Sequence, residues 1–176
     1  MKLRKINAVF SLICTVLLLG HAISLGAWML SKFSISMPPR AVSRLLVVFF
    51  VMHAILSIIL MISTHKGGKE NKGKQYPKQN FATIIQRLSG ALMIVFTAVH
   101  VLGAFGIMRL PYGMHFVFYP LFFTLVLVHI AISTSKAFIT LGIGNARIIK
   151  RIDIAIRAVC SLTLIADVIG FYICAV

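Results

Sequence analysis

An all-α transmembrane fold of five helices, running up and down as a bundle, follows from three observations. Hydrophobic residues make up 60% of the 176 positions and charged residues only 12%, whereas soluble globular chains are about a quarter charged. The apolar residues fall into five stretches, each near the roughly 20 residues that cross a bilayer. The lysines and arginines collect between those stretches. The five stretches fill positions 1–176 as a single integral membrane domain, so chemistry on any water-soluble substrate is expected to belong to a partner.

The first helix is expected over 6–30. Lys2, Arg4 and Lys5 ahead of it imitate a secretory signal, but the apolar run exceeds the roughly 7–15 residues of a signal core. The polar segment from Ser31 to Pro39 ends it, and Pro38 and Pro39 suit the entrance to a second helix over 40–64. His65 to Lys78, rich in glycine and lysine, reads as an aqueous loop. A third helix is expected over 81–108. Pro111 and Tyr112 open a fourth over 112–135, with Pro120 inside it as a kink that neighbouring helices in a membrane tolerate. Gly142, Gly144 and Asn145 interrupt the pattern, and Arg147, Lys150 and Arg151 mark an interface, so the fifth helix is expected over 152–175.

The net charge of +15 raises nucleic-acid binding, but its placement argues against it, because basic loops between spans are normal in membrane proteins. The N-terminus, the II–III loop (Lys66, Lys69, Lys72, Lys74, Lys78) and the IV–V loop (Lys136, Arg147, Lys150, Arg151) are basic. The opposite side carries only Lys32, Arg40 and Arg109. By the positive-inside rule the N-terminus is cytoplasmic and the C-terminus outside. Cys14, Cys160 and Cys174 lie in apolar stretches, with no metal-binding or covalent-haem spacing.

A histidine inside a span is costly and usually has a task. Helices I to IV each hold one: His21, His53, His100 and His129. Measured from the outer helix ends, His21 and His100 lie roughly 15 and 14 Å deep, His53 and His129 roughly 21 and 27 Å. They sort into an outer pair on helices I and III and an inner pair on helices II and IV. A haem held by two histidines needs one imidazole from each of two facing helices at one depth. Four such residues, one per helix and matched by depth, favour two b-type haems over unrelated cross-helix hydrogen bonds, metal sites or a proton relay. The free ring N–H of each ligand is expected on a carbonyl one turn earlier, near Leu17, Phe49, Phe96 and Leu125. His65 and His115, near helix ends, need no such explanation.

Helix III opens Gln86-Arg87-Leu88-Ser89-Gly90 and continues to Phe96 and His100. This pattern resembles the single-subunit, five-helix, di-haem cytochrome b anchors of succinate dehydrogenases and fumarate reductases. Locally the likeness covers mainly helix III; in architecture it extends along the whole chain. It implies axial pairs His21 with His100 and His53 with His129, the pairing that the depths give on their own. It also implies a cytoplasmic flavoprotein and iron–sulfur subunit as partners, in a bacterial cytoplasmic membrane, with succinate or fumarate as the partner's substrate. Electrons then pass between these subunits and a membrane quinone, menaquinone ahead of ubiquinone.

Physical reasons attach to the helix III residues. Gly90 offers a surface on which a porphyrin edge can rest. Gln86, Arg87 and Ser89 lie where the inner haem's propionates need donors, and Arg44 serves the outer haem likewise. Arg87 reads equally as an interfacial anchor, and Ser89 and Gly90 as small residues for helix packing. One departure stands out. No span contains a glutamate, Glu70 being in a loop, and Asp167 is the only deeply placed acid. It is the candidate for quinone chemistry or proton transfer, against the alternative of a hydrogen bond within the bundle. Two other readings compete: a di-haem cytochrome b of another oxidoreductase, and a haem-free transporter or structural membrane protein.

Overall fold

The computed structural model describes residues 2–31, 40–70, 81–143 and 145–175, and all regular structure among them is helical. The elements are α1 (Lys2–Leu30), α2 (Arg40–Glu70), α3 (Phe81–Ala104), α4 (Tyr112–Leu141) and α5 (Ala146–Ala175). Each contains a stretch long and apolar enough to cross a membrane, as in a multi-pass membrane protein. Large apolar side chains point outward along them, Val16 at 71%, Val95 at 60% and Leu162 at 69% exposure. Water would penalise such surfaces, whereas lipid accepts them.

Several helix ends differ from the sequence expectation, and each difference has a local cause. α3 stops at Ala104 rather than near 108 because Gly106 adopts a left-handed conformation (φ 72°). The Ile107 N–H then bonds back to the Leu102 carbonyl at 3.0 Å, which closes the last turn. α4 runs past Lys136 to Leu141 and ends at Gly142 (φ 90°), whose N–H donates to Ile139 O. α5 begins at Ala146, six residues before the expected 152. Asn145 caps it, its side-chain oxygen accepting the Arg147 N–H at 2.9 Å. The basic residues expected to mark a loop therefore ride on the first turns of a helix. α1 already starts at Lys2, and α2 continues to Glu70 although its apolar span ends at Ser63. Apolarity bounds the membrane crossing, and the helix itself persists until a backbone signal ends it. The remaining II–III loop and the Pro38–Pro39 entrance lie outside the described residues.

Pro120 does not break α4. Its missing N–H deprives the Phe116 carbonyl of its helical donor, and the Tyr172 hydroxyl of α5 donates to that carbonyl at 3.2 Å instead. A neighbouring helix thus supplies the hydrogen bond that proline removes.

α4 lies at the centre of the packing, against α1, α3 and α5, while α1 also packs on α2 and α5. The core joins Met93 of α3, Phe122, Val126, Leu127 and Ile130 of α4 and Cys160 of α5. Buried hydroxyls on α4 are satisfied within the helix, Ser133 donating to His129 O and Thr134 to Ile130 O. Contacts pair the start of α3 with the end of α4 (Gln86 with Lys136) and its middle with Phe118 and Phe122. α1 and α2 meet similarly, Asn7 with Ser57 and Phe10 with Phe49. α5 has its own long contact with α1, through Gly26, Met29, Asp167 and Gly170.

Candidate functional site

The four span histidines sit one each on α1, α2, α3 and α4. The fold brings them together in twos. His100 lies within electrostatic range of His21, and His129 within that of His53. Among the described residues no three His, Cys, Asp or Glu side chains converge on one point.

His53 and His129 border one cavity of about 650 Å³, within the usual range for a small-molecule or cofactor site. α1, α2, α3 and α4 all contribute to its lining. Its apolar walls include Leu18, Phe50, Met93 and Ile130, and its polar part carries Arg4, Asn7, Gln86, Arg87 and Lys136. An apolar body with basic groups at one part suits a flat hydrophobic ligand bearing carboxylates. The inner pair, whose depths along the sequence agree less closely, is thus the one that shares a described cavity. Around the outer pair, the His100 ring packs on Phe122 at 5.3 Å and meets Tyr119 edge-on at 6.0 Å. Phe122 stacks in turn on Phe96.

The ring nitrogens are not held as expected. Among the described residues, the buried Nδ1 atoms of His21, His53 and His100 have no hydrogen-bond partner, although a carbonyl one turn earlier was expected for each. His129 is the exception, and its partner is on another helix: Nδ1 lies 3.0 Å from Ser89 Oγ of α3. The Ser89 hydroxyl also donates to the Gln86 carbonyl at 3.2 Å. The inner pair, two imidazoles from different helices beside a cavity of cofactor size, fits the requirements of axial haem ligands.

The helix III residues divide in role. Gln86 and Arg87 line the cavity, and Gln86 Oε1 accepts from Lys136 Nζ at 2.7 Å. Ser89, expected beside a propionate, is 3% exposed and bonded to the His129 ring instead. Gly90 lines the cavity, yet its close neighbour is a protein side chain: a β-carbon there would stand 3.0 Å from His129 Cε1. Arg44 is exposed and is not part of the cavity lining. Asp167 is 1% exposed at the α1–α5 contact, with neither carboxylate oxygen hydrogen-bonded among the described residues. Its contact is Gly26 on α1, and among the described residues the hydrogen bond weighed as its alternative role is not seen. His115 is tied locally, Nε2 donating to Leu110 O at 3.0 Å, and stacks on Tyr119. The His65 side chain lies outside the described residues.

Among the polar contributors to the cavity that escaped the sequence reading are Arg4, Asn7 and Lys136. Lys136 follows His129 by seven residues, two helical turns on the same face, a spacing that marks it as a neighbour of the ligand. Its ammonium is held by Thr83 and Gln86 at 3.2 and 2.7 Å. Arg4 and Asn7 carry no comparable signal, because their place depends on how α1 leans on α2. Comparison with family models, with curated proteins and with solved structures finds no match.

Proposed function

We propose that this chain is a di-haem cytochrome b membrane subunit, with α1–α4 as an up-down haem-binding core and α5 packed outside it. The observation that carries the reading is the pairing of His21 with His100 and of His53 with His129, the second pair facing a shared cavity. His21 and His100 hold the outer haem, His53 and His129 the inner one. A bound b-type haem supplies one-electron carriage through its iron. Arg87 and Arg4 offer charge-assisted hydrogen bonds to the inner propionates, and Lys136 adds a third cation held by Gln86 and Thr83. The apolar lining excludes water from the imidazoles and so favours a stable low-dielectric site.

The Gln86-Arg87-x-Ser89-Gly90 pattern supports membrane anchorage of a succinate:quinone oxidoreductase as the particular role. In that role the N-terminus and the basic loops face the cytoplasm of a bacterial cell and dock a flavoprotein and an iron–sulfur subunit. Quinone, menaquinone ahead of ubiquinone, is the partner within the membrane. The chain itself does not act on succinate or fumarate. Asp167, buried and without a hydrogen-bond partner among the described residues, is the acid placed to take part in proton transfer, since Asp153 of the same helix is paired with Arg157 and Ser135.

The test is a reduced-minus-oxidised spectrum and a pyridine haemochrome of the purified protein. Two haems b per chain are expected, and a haem-free protein that is folded and helical overturns the proposal. Co-purification of a flavoprotein with succinate or fumarate activity is expected, and a flavoprotein of other activity moves the subunit to another oxidoreductase.

A further inference from the structure

We infer that Ser89 is the positioning residue of the inner haem, fixing the tautomer and rotation of the His129 imidazole from a neighbouring helix. The inference rests on the di-haem reading and adds to it a role for a residue that ligates nothing. Ser89 has one hydroxyl hydrogen, and that hydrogen is directed to the Gln86 carbonyl at 3.2 Å, one turn earlier on α3. Its oxygen is then left as an acceptor, 3.0 Å from His129 Nδ1. With the hydroxyl oriented this way, Nδ1 carries the proton and Nε2 presents its lone pair as the ligand atom. Ser89 is 3% exposed, so water does not compete for either bond.

Gly90 completes the arrangement. A β-carbon at this position would lie 3.0 Å from Cε1 and 3.5 Å from Nδ1 of the same ring, so the missing side chain gives the Cε1–Nδ1 edge of the imidazole room to approach α3. The His129 main chain is also held, its carbonyl accepting from Ser133 Oγ at 2.6 Å. Among the described residues, the buried Nδ1 atoms of His21, His53 and His100 find no hydrogen-bond partner. The two pairs are thus unequal: one ligand of the inner pair is held by a hydroxyl, and neither ligand of the outer pair is. A hydrogen bond to the distal N–H makes an imidazole a more basic ligand and stabilises the oxidised iron. Ser89 accordingly lowers the inner potential relative to a haem whose ligands lack such a bond.

The experiment compares wild type, Ser89→Ala and Ser89→Thr by haem content, by low-spin EPR and by redox titration, the inner signal being identified by its loss in His53→Ala. Ser89→Ala is expected to retain two haems, to move the midpoint of the inner haem positive and shift its g-max, and to leave the outer haem unchanged. Release of the inner haem to an excess of acceptor protein should accelerate about 10-fold or more. Ser89→Thr, which keeps the hydroxyl, is expected to restore both signatures. Should Ser89→Ala fail to accumulate, Ser89→Cys, of similar volume with a sulfur that is only a weak acceptor, is read in its place and must show the same one-sided shift. Unchanged inner signals in Ser89→Ala, or equal shifts in both haems, overturn the assignment while leaving the di-haem reading intact. A wild type without haem overturns both.

Discussion

Gly26 on α1 and Asp167 on α5 meet so closely that a β-carbon on the glycine would stand 2.6 Å from the carboxylate oxygen Oδ1. The acid is 1% exposed there. The contact continues one turn further, where a β-carbon on Gly170 would lie 3.0 Å from Met29 Cβ. Two glycines, one on each helix, thus let α1 and α5 approach backbone to backbone, as small residues do in membrane interfaces.

Gly26→Ala is expected to destabilise the protein by about 1–3 kcal/mol, the cost of overpacking a filled contact. Asp167→Ala in the same chain removes the obstructing oxygen and should recover part of that loss. Unfolding in mild detergent by a graded denaturant measures both, and strictly additive effects of the two substitutions would show that the residues do not press on one another.

Single substitutions of the span histidines are expected to remove one haem each. His53→Ala and His129→Ala should lose the inner haem, His21→Ala and His100→Ala the outer. The pair His53→Ala with His129→Ala should lose no more than either alone, whereas His53→Ala with His100→Ala should lose both. Pyridine haemochrome stoichiometry decides, and any other grouping of the four residues contradicts the pairing.

Lys136→Met tests the basic part of the cavity. The substitution removes the hydrogen bonds to Thr83 and Gln86 and a cation within range of His129. Retention of the inner haem is expected to weaken while the outer haem stays bound, read as the fraction of each signal surviving dilution in detergent. Arg44→Met, remote from the cavity lining, should leave the inner haem untouched.

Tyr172→Phe removes the donor that satisfies Phe116 O across the Pro120 gap. The expected loss is about 0.6 kcal/mol, typical of interhelical hydrogen bonds in membranes. Pro120→Ala restores the helical N–H to that carbonyl, so in its background Tyr172→Phe should cost almost nothing. A double-mutant cycle in thermal unfolding reads the difference.

Fold class and helix number were legible because hydrocarbon admits few solutions: a chain this apolar, with most of its charge collected outside five apolar stretches, must satisfy its backbone within helices. The ends were less legible. Arg147, Lys150 and Arg151 look like loop residues, yet Asn145 caps a helix that carries them, since charge reports the water boundary and capping reports the helix boundary. Gly106 and Gly142 end α3 and α4 through left-handed backbone, and in sequence they resemble glycines that end nothing, such as Gly20 inside α1.

The sequence by itself determined which residues are unusual: four histidines and a deeply placed acid, Asp167, in apolar stretches, one histidine to each of the first four helices. These follow from composition and rise per residue, which are local properties. Only the tertiary structure decided which neighbours those residues meet. It put Ser89 on the His129 ring rather than on the cavity, brought Arg4 and Lys136 from distant parts of the chain to the cavity of His53, and set Asp167 against Gly26. The azimuth of each helix about its axis settles such contacts. That angle depends on the packing of all five helices together, and no stretch of the chain encodes it alone.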